Sequence, residues 1–194
     1  MLEEEKTTVC HKKAAIFLAD GFEESEAIVT ADVLIRAGIE TDLISVGENF
    51  FVRGAHSLLI LAGKRIDDLK DWSGYDAFIL PGGMPGTDNL NNNAILKSIL
   101  CQVYEEGKLL AAICAAPVIL GRLGLLKRRK AVCYPGFESR LEGAILLDDL
   151  VVTDGNVITS KGPGGAFCFG LAIVEYLCSK KEADDIATGL LLIF

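Results

Sequence analysis

An α/β domain with a doubly wound, mostly parallel sheet is the fold class this sequence predicts, on three observations. Short, continuously apolar runs recur along the chain, as in Ala14–Ala19, Ala77–Leu80 and Leu109–Cys114. Such runs suit strands that are covered on both faces. Stretches with apolar residues at helical spacing lie between them, and glycine-rich turns punctuate the alternation. Strands that alternate with helices build parallel sheets with helices on both faces.

Taken in order, Ala14–Ala19 is the first strand, followed by an Asp20-Gly21 turn. A helix over about Glu24–Ala37 carries Ala27, Ile28, Ala31, Leu34 and Ile35 on one stripe, and Gly38 stands where a C-terminal cap would. Asp42–Val46 is the second strand. Phe51–Leu61 holds one or two short strands broken at Gly54. Ala77–Leu80 runs into Pro81-Gly82-Gly83. A helix over Ala94–Glu106 stops at Gly107, the Leu109–Cys114 strand follows, and Pro117 opens a helix to Leu123, proline being suited to a first helical position. Ala131–Cys133 reads as a strand. Leu150–Thr153 and Val157–Ser160 flank Asp154-Gly155-Asn156 as a hairpin. Helices after Gly162-Pro163-Gly164-Gly165 and from about Lys181 complete the chain. Residues 1–13 are expected to form a short extension and 14–194 a single domain.

Composition narrows the function. With 51% apolar and 24% charged residues, the 194-residue chain has the make-up of a soluble globular protein. A net charge of −8 argues against a nucleic-acid groove or an anionic membrane as partner. Lys127–Lys130 reads as a solvated turn. Leu109–Leu120 is too short to span a bilayer. The polar, acidic N-terminus has no secretion signal, and six scattered cysteines without a CxxC read as reduced thiols, so a cytoplasmic location is expected. Two histidines, His11 and His56, offer no metal-ligand spacing, and neither a G-x-G-x-x-G nor a P-loop is present, so neither metal nor cofactor is expected.

Cys114 is the leading candidate for chemistry. A thiol between a buried strand and a helix start lies near unpaired N–H groups and the positive end of the helix dipole, which favour thiolate. Its setting has the shape of a nucleophile elbow, though without the flanking glycines of G-x-S-x-G. Exposed N–H groups after Pro81 could meet an oxyanion. Glu23, Glu24 and Glu26 lie at a helix start, where acidic residues complement the dipole; Glu26 is the one placed to face the crevice. A carboxyl beside the thiol would share one proton with it. Cys101, Cys133, Cys168 and Cys178 read as core or helix-face residues.

The stretches LADGFEESEA, RAGIE, LPGG, AAICAAP and TSKGPGGAF, in this order, resemble the ThiJ/PfpI superfamily and, within it, the YajL/DJ-one branch. The resemblance runs from about Ala14 to the C-terminus. It implies a flavodoxin-like sandwich that forms homodimers, with Cys114 as an oxidation-sensitive nucleophile and Glu26 as its acidic partner. It also implies backbone donors at Gly83 and Ala115, Gly82 shaping the turn, and Arg36 near the pocket and dimer interface. The implied activity is cofactor-independent conversion of small α-oxoaldehydes to hydroxy acids, or removal of their adducts from glycated proteins or nucleotides. Chaperone and redox-sensing roles through Cys114 oxidation are the implied alternative, and an older label for relatives is thiazole monophosphate biosynthesis. Two positions depart from the pattern. Ala115 stands where the peptidase branch has histidine, which removes the base of a peptidase or amidotransferase-like hydrolase. Tyr134 stands where several relatives carry a site histidine, leaving Glu26 as the proton shuttle; His56 approaches the site by family analogy only.

Overall fold

The computed structural model describes residues 11–192. Its centre is a seven-stranded sheet. The strands are β1 (Lys13–Leu18), β2 (Glu40–Ser45), β5 (Lys64–Arg65), β6 (Ala77–Leu80), β7 (Leu109–Ile113), β10 (Val151–Asp154) and β11 (Val157–Ser160), in the order β10-β11-β7-β6-β1-β2-β5. Every pairing is parallel except β10 with β11, the predicted hairpin. A hairpin of β3 (Phe51–Arg53) and β4 (Leu59–Leu61) stands apart, as does the parallel pair β8 (Lys130–Ala131) and β9 (Ile145–Leu146). Lys13, expected in the N-terminal extension, instead opens β1; the rest of that extension up to residue 10 lies outside the described residues.

Alternate residues of each central strand feed two separate cores, which is why these strands are apolar throughout. Ala15, Phe17, Phe78, Leu110 and Ala112 pack beneath α2 (Gly86–Asn92), α3 (Ala94–Glu105) and α4 (Pro117–Arg122). Ala14, Ile16, Leu18, Ala111 and Ile113 pack beneath α1 (Glu24–Arg36), α5 (Ala166–Leu177) and α6 (Lys180–Gly189). The α1 and α5 helices approach closely: a side chain at Gly170 would put its Cβ 2.9 Å from that of Val33. The fold is thus the expected α/β sandwich.

Chain order explains where a site can form. From β1 the chain winds outward to β2 and β5, then returns to place β6 on the other side of β1. At such a reversal the loops after adjacent strands diverge and leave a crevice. Here the diverging loops are Ala19–Glu23, after β1, and Pro81–Pro85, after β6.

Candidate active site

Cys114 comes directly after β7, in the left-handed backbone region at φ 65°. That conformation costs a residue with a side chain about 1–2 kcal/mol, and two hydrogen bonds hold it. The Cys114 N–H donates to the Ser160 carbonyl at 2.9 Å, and the Cys114 carbonyl accepts from the Tyr134 N–H at 2.8 Å. The turn lifts the side chain to the end of the sheet on the α1 side, where the residue keeps 9% exposure. The N–H groups of Gly83 and Ala115 lie near its sulfur and favour its ionised form.

Glu26 lies in the first turn of α1 and is fully buried. Its Oε2 accepts the Gly82 N–H at 2.7 Å; Oε1 is buried and completes no hydrogen bond of ordinary geometry. Glycine at 82 is what lets the three groups meet, since a Cβ there would lie 2.6 Å from the Cys114 Cβ and 2.9 Å from Glu26 Oε2. At Gly83 the backbone has φ 87°, and a Cβ would lie 2.4 Å from the Glu23 nitrogen.

Burial raises the Glu26 carboxyl to about 7, the Gly82 N–H and the Cys114 side chain opposing it and the Glu23 charge adding to it. Burial, then the Glu26 charge, pushes the thiol up to about 12 against the two N–H groups. Both ionised forms are disfavoured in one enclosed space, so the pair retains a single proton over the range between. Burial and the adjacent Glu26 charge thus oppose the thiolate that the helix start would favour. The α4 helix that begins there has only six residues.

The remaining predicted residues separate. Arg36 is not near the pocket: it ends α1, exposed and bonded to Asp32 at 2.8 Å, and ten helical residues put it about 15 Å along the axis from Glu26. Tyr134 is half-exposed, its ring edge-on to Phe137 and against Gly162, so it reaches Cys114 through its backbone. His56 is exposed, in the turn between β3 and β4. Cys133 is buried in the core under α4, on the other side of the sheet from Cys114, and burial raises its thiol to about 11. Cys178 is disulfide-bonded, which corrects the reading of every cysteine as a reduced thiol.

Sequence reasoning missed Glu24. It is buried, and its Oε1 accepts the N–H groups of His56 at 2.7 Å and Leu58 at 3.4 Å, while Oε2 takes His56 Nδ1 at 2.8 Å. Gly54 is the signal that could have found it, because a side chain there would overlap the Glu24 carboxyl. Glu23, Glu24 and His56 bring potential metal-ligand atoms within 4.8 Å of one another. The Glu24 oxygens are already committed to the hairpin, so the trio reads as a structural clasp.

Among the described residues, no helix is long and apolar enough to cross a membrane. A model of the DJ-1/PfpI family matches residues 12–176. The chain is 37% identical over 183 residues to Protein DJ-1 homolog B of Arabidopsis thaliana, covering 93% of this chain but only 42% of that protein's length. It is 36% identical to the glutathione-independent glyoxalase DJR-1.2 of Caenorhabditis elegans, covering 93% of this chain and 97% of that one. The structure of oxidized Toxoplasma gondii DJ-1 superposes with a TM-score of 0.91 at 35% identity, over 94% of this chain and all of that one. Likeness of this extent, in sequence and in fold, makes the chain a member of the DJ-1/PfpI family.

Proposed function

We propose that this protein converts small α-oxoaldehydes to hydroxy acids at Cys114. The observation that carries the reading is the enclosed thiol–carboxyl pair, with two N–H groups near the sulfur. A nucleophile can be activated by an adjacent base as well as by a low pKa. A carboxyl near 7 is well matched to that work at neutral pH. Glu26 takes the thiol proton as the sulfur adds to the aldehyde carbon. The resulting oxyanion is stabilised by the Gly83 and Ala115 N–H groups and is then protonated. Glu26, having returned its proton to that oxygen, removes the hydrogen from the former aldehyde carbon and delivers it to the neighbouring carbonyl carbon, while the hydroxyl proton on the first oxygen passes to the former carbonyl oxygen. One carbon is oxidised and the next reduced, so no external electron acceptor enters, and the product is a thioester that water hydrolyses. The near-complete burial of Cys114 suits small aldehydes, and the glyoxalase name of the Caenorhabditis relative supports the class. The test is lactate formed from methylglyoxal. Cys114→Ser is expected to lower kcat by at least about 10³-fold, since it removes the nucleophile itself; equal rates would refute the reading.

A second copy of the chain is proposed to cover the face formed by α1 and the β3–β4 hairpin. Phe51 and Leu61, a cross-strand pair, are 60% and 61% exposed, Leu59 is 52% exposed, and Ile28 and Ile35 project from α1. The family resemblance independently implies a homodimer. Analytical ultracentrifugation is expected to give twice the 20.8 kDa chain mass for wild type, and a monomer for Phe51→Asp combined with Leu61→Asp. A wild-type monomer at micromolar concentration would rule the pairing out.

A further inference from the structure

We infer that Cys178 pairs with Cys10, and that this disulfide is a redox-controlled strap fastening the start of the chain to the junction of α5 and α6. The first support is a matter of count. Cys178 is disulfide-bonded, whereas Cys101, Cys114, Cys133 and Cys168 are free thiols. The chain has six cysteines. Cys10, which lies outside the described residues, is the one left to pair within the chain.

The second support is reach. Lys12 and Leu177 line one cavity of ≈ 250 Å³, together with Asp76, Lys108 and Tyr176. Lys12 is fixed there: its carbonyl accepts the Glu40 N–H at 2.9 Å, and its Nζ donates to Asp76 Oδ1 at 2.9 Å. Two residues of chain span at most about 7 Å, and paired cysteines have Cα atoms about 4.4–6.8 Å apart. A cysteine two places before Lys12 can therefore meet one directly after Leu177. The third support is what the bond would hold. Cys178 ends α5, donating its N–H to the Val174 carbonyl at 2.9 Å, and Ser179 caps α6, its Oγ accepting the Glu182 N–H at 3.1 Å. One bond there ties both helices to the strand that opens the sheet. It closes a loop spanning most of the chain, and a long loop loses the most unfolded-state freedom when it is closed. The cavity shares no residue with α1 or the β3–β4 hairpin, the face given to a second copy. It is also remote from catalysis. Lys108 precedes β7 and Cys114 follows it, and the five residues between them span about 20 Å of strand.

A small-molecule disulfide such as oxidised glutathione closes the strap by exchange. One cysteine, as thiolate, attacks a sulfur of that disulfide and releases one thiol. The other cysteine, as thiolate, attacks the protein sulfur of the mixed disulfide and releases the second. The two protein thiols are oxidised, one external disulfide is reduced to two thiols, and these carry away the two protons. A dithiol reverses the sequence.

The experiment treats the full chain with oxidised glutathione, digests it without reduction and maps the peptides by mass. A cross-linked pair carrying Cys10 and Cys178 is expected, and dithiothreitol is expected to abolish it. Thermal melts then compare oxidised wild type, reduced wild type, Cys10→Ser, Cys178→Ser and the double variant. Reduction is expected to lower the Tm of wild type by about 5–15 °C and to leave the three variants unmoved. Each variant is expected to melt with reduced wild type, the double variant no lower than the singles, because all lack the same bond. A merely packing role for Cys178 would lower Tm in Cys178→Ser alone and would not respond to dithiothreitol. A map showing Cys178 unpaired, joined to a different cysteine, or joined to a second molecule would overturn the assignment. So would a wild-type Tm that reduction does not change. None of these readouts uses an aldehyde, so the strap and the glyoxalase reading stand or fall separately.

Discussion

Glu26→Gln is expected to make the protein more stable at pH 8 and close to inactive. The native carboxyl holds its proton to about pH 7, against 4.5 for an ordinary glutamate. Below 4.5 the folded and unfolded chains are both protonated there, and this residue's contribution to stability is fully present. As pH rises from 4.5 to 7 the unfolded chain releases the proton and the folded chain does not, so stability falls. Above 7 the loss levels off at about 3 kcal/mol. Glutamine is close in shape, still accepts the Gly82 N–H, and does not ionise. Wild type and variant are therefore expected to melt together near pH 4 and to diverge by about 6–12 °C at pH 8, the variant higher. Loss of the proton shuttle is expected to lower kcat by about 10²–10⁴-fold at the same pH. Thermal melts at the two pH values check the first part and lactate release the second. Parallel melting curves across this range would mean that Glu26 titrates as an ordinary carboxylate, and the shared proton would be lost.

A residue that makes a fold less stable in exchange for chemistry is hard to recognise in a sequence. Strand positions were legible because each central strand is buried on both faces and so carries an unbroken apolar run; Ala77–Leu80 has the same bounds in sequence and structure. The α1 and α3 helices were legible from their stripes. The α2 helix was not: in GTDNLNN only Leu90 contributes a large buried side chain, so no periodicity marks it. The strand read over Ala131–Cys133 pairs as the shorter β8, Lys130–Ala131, while two-residue strands such as β5 and β9 carry no pattern of their own and exist through pairing.

Within the site, Cys114 was legible from the strand-to-helix turn, and Glu26 from its place at the first helical turn. What their environment does to them was not. A helix start can be read locally, whereas burial of the sulfur depends on β6, β7 and α1 converging, which is tertiary information. Glu24 and Glu26 differ by two residues and look alike in sequence. Helical rotation turns one to the hairpin and the other to the sulfur. Arg36 was assigned by resemblance alone, and helix length carries it away from the crevice.

The converging backbone also identifies the positions least able to change. Gly82→Ala and Gly83→Ala are expected to fail in different ways. At 83 the main chain is left-handed, and an added Cβ would meet backbone atoms of the loop after β1: the Glu23 nitrogen at 2.4 Å, the Gly21 carbonyl oxygen at 2.6 Å and the Phe22 carbonyl carbon at 2.7 Å. None is the end of a flexible side chain, so the loop must move. The left-handed penalty of about 1–2 kcal/mol and an overpacking cost of about 1–3 kcal/mol together predict about 2–5 kcal/mol of lost stability, measurable by urea denaturation. At 82 the backbone conformation is open to any residue, and the obstacle is the site itself. The new methyl would press on the Cys114 Cβ, which a strained turn holds in place, and on Glu26 Oε2. The softer response is to push Glu26 away, lengthening its bond to the Gly82 N–H and opening the space shared with the thiol. Gly82→Ala is therefore expected to cost less stability than Gly83→Ala, about 1–3 kcal/mol, yet to lower kcat about 10²-fold because a displacement of about 1 Å suffices to misalign a proton transfer. A Gly82→Ala protein with wild-type kcat would show that the close approach of Cys114, Gly82 and Glu26 serves packing alone.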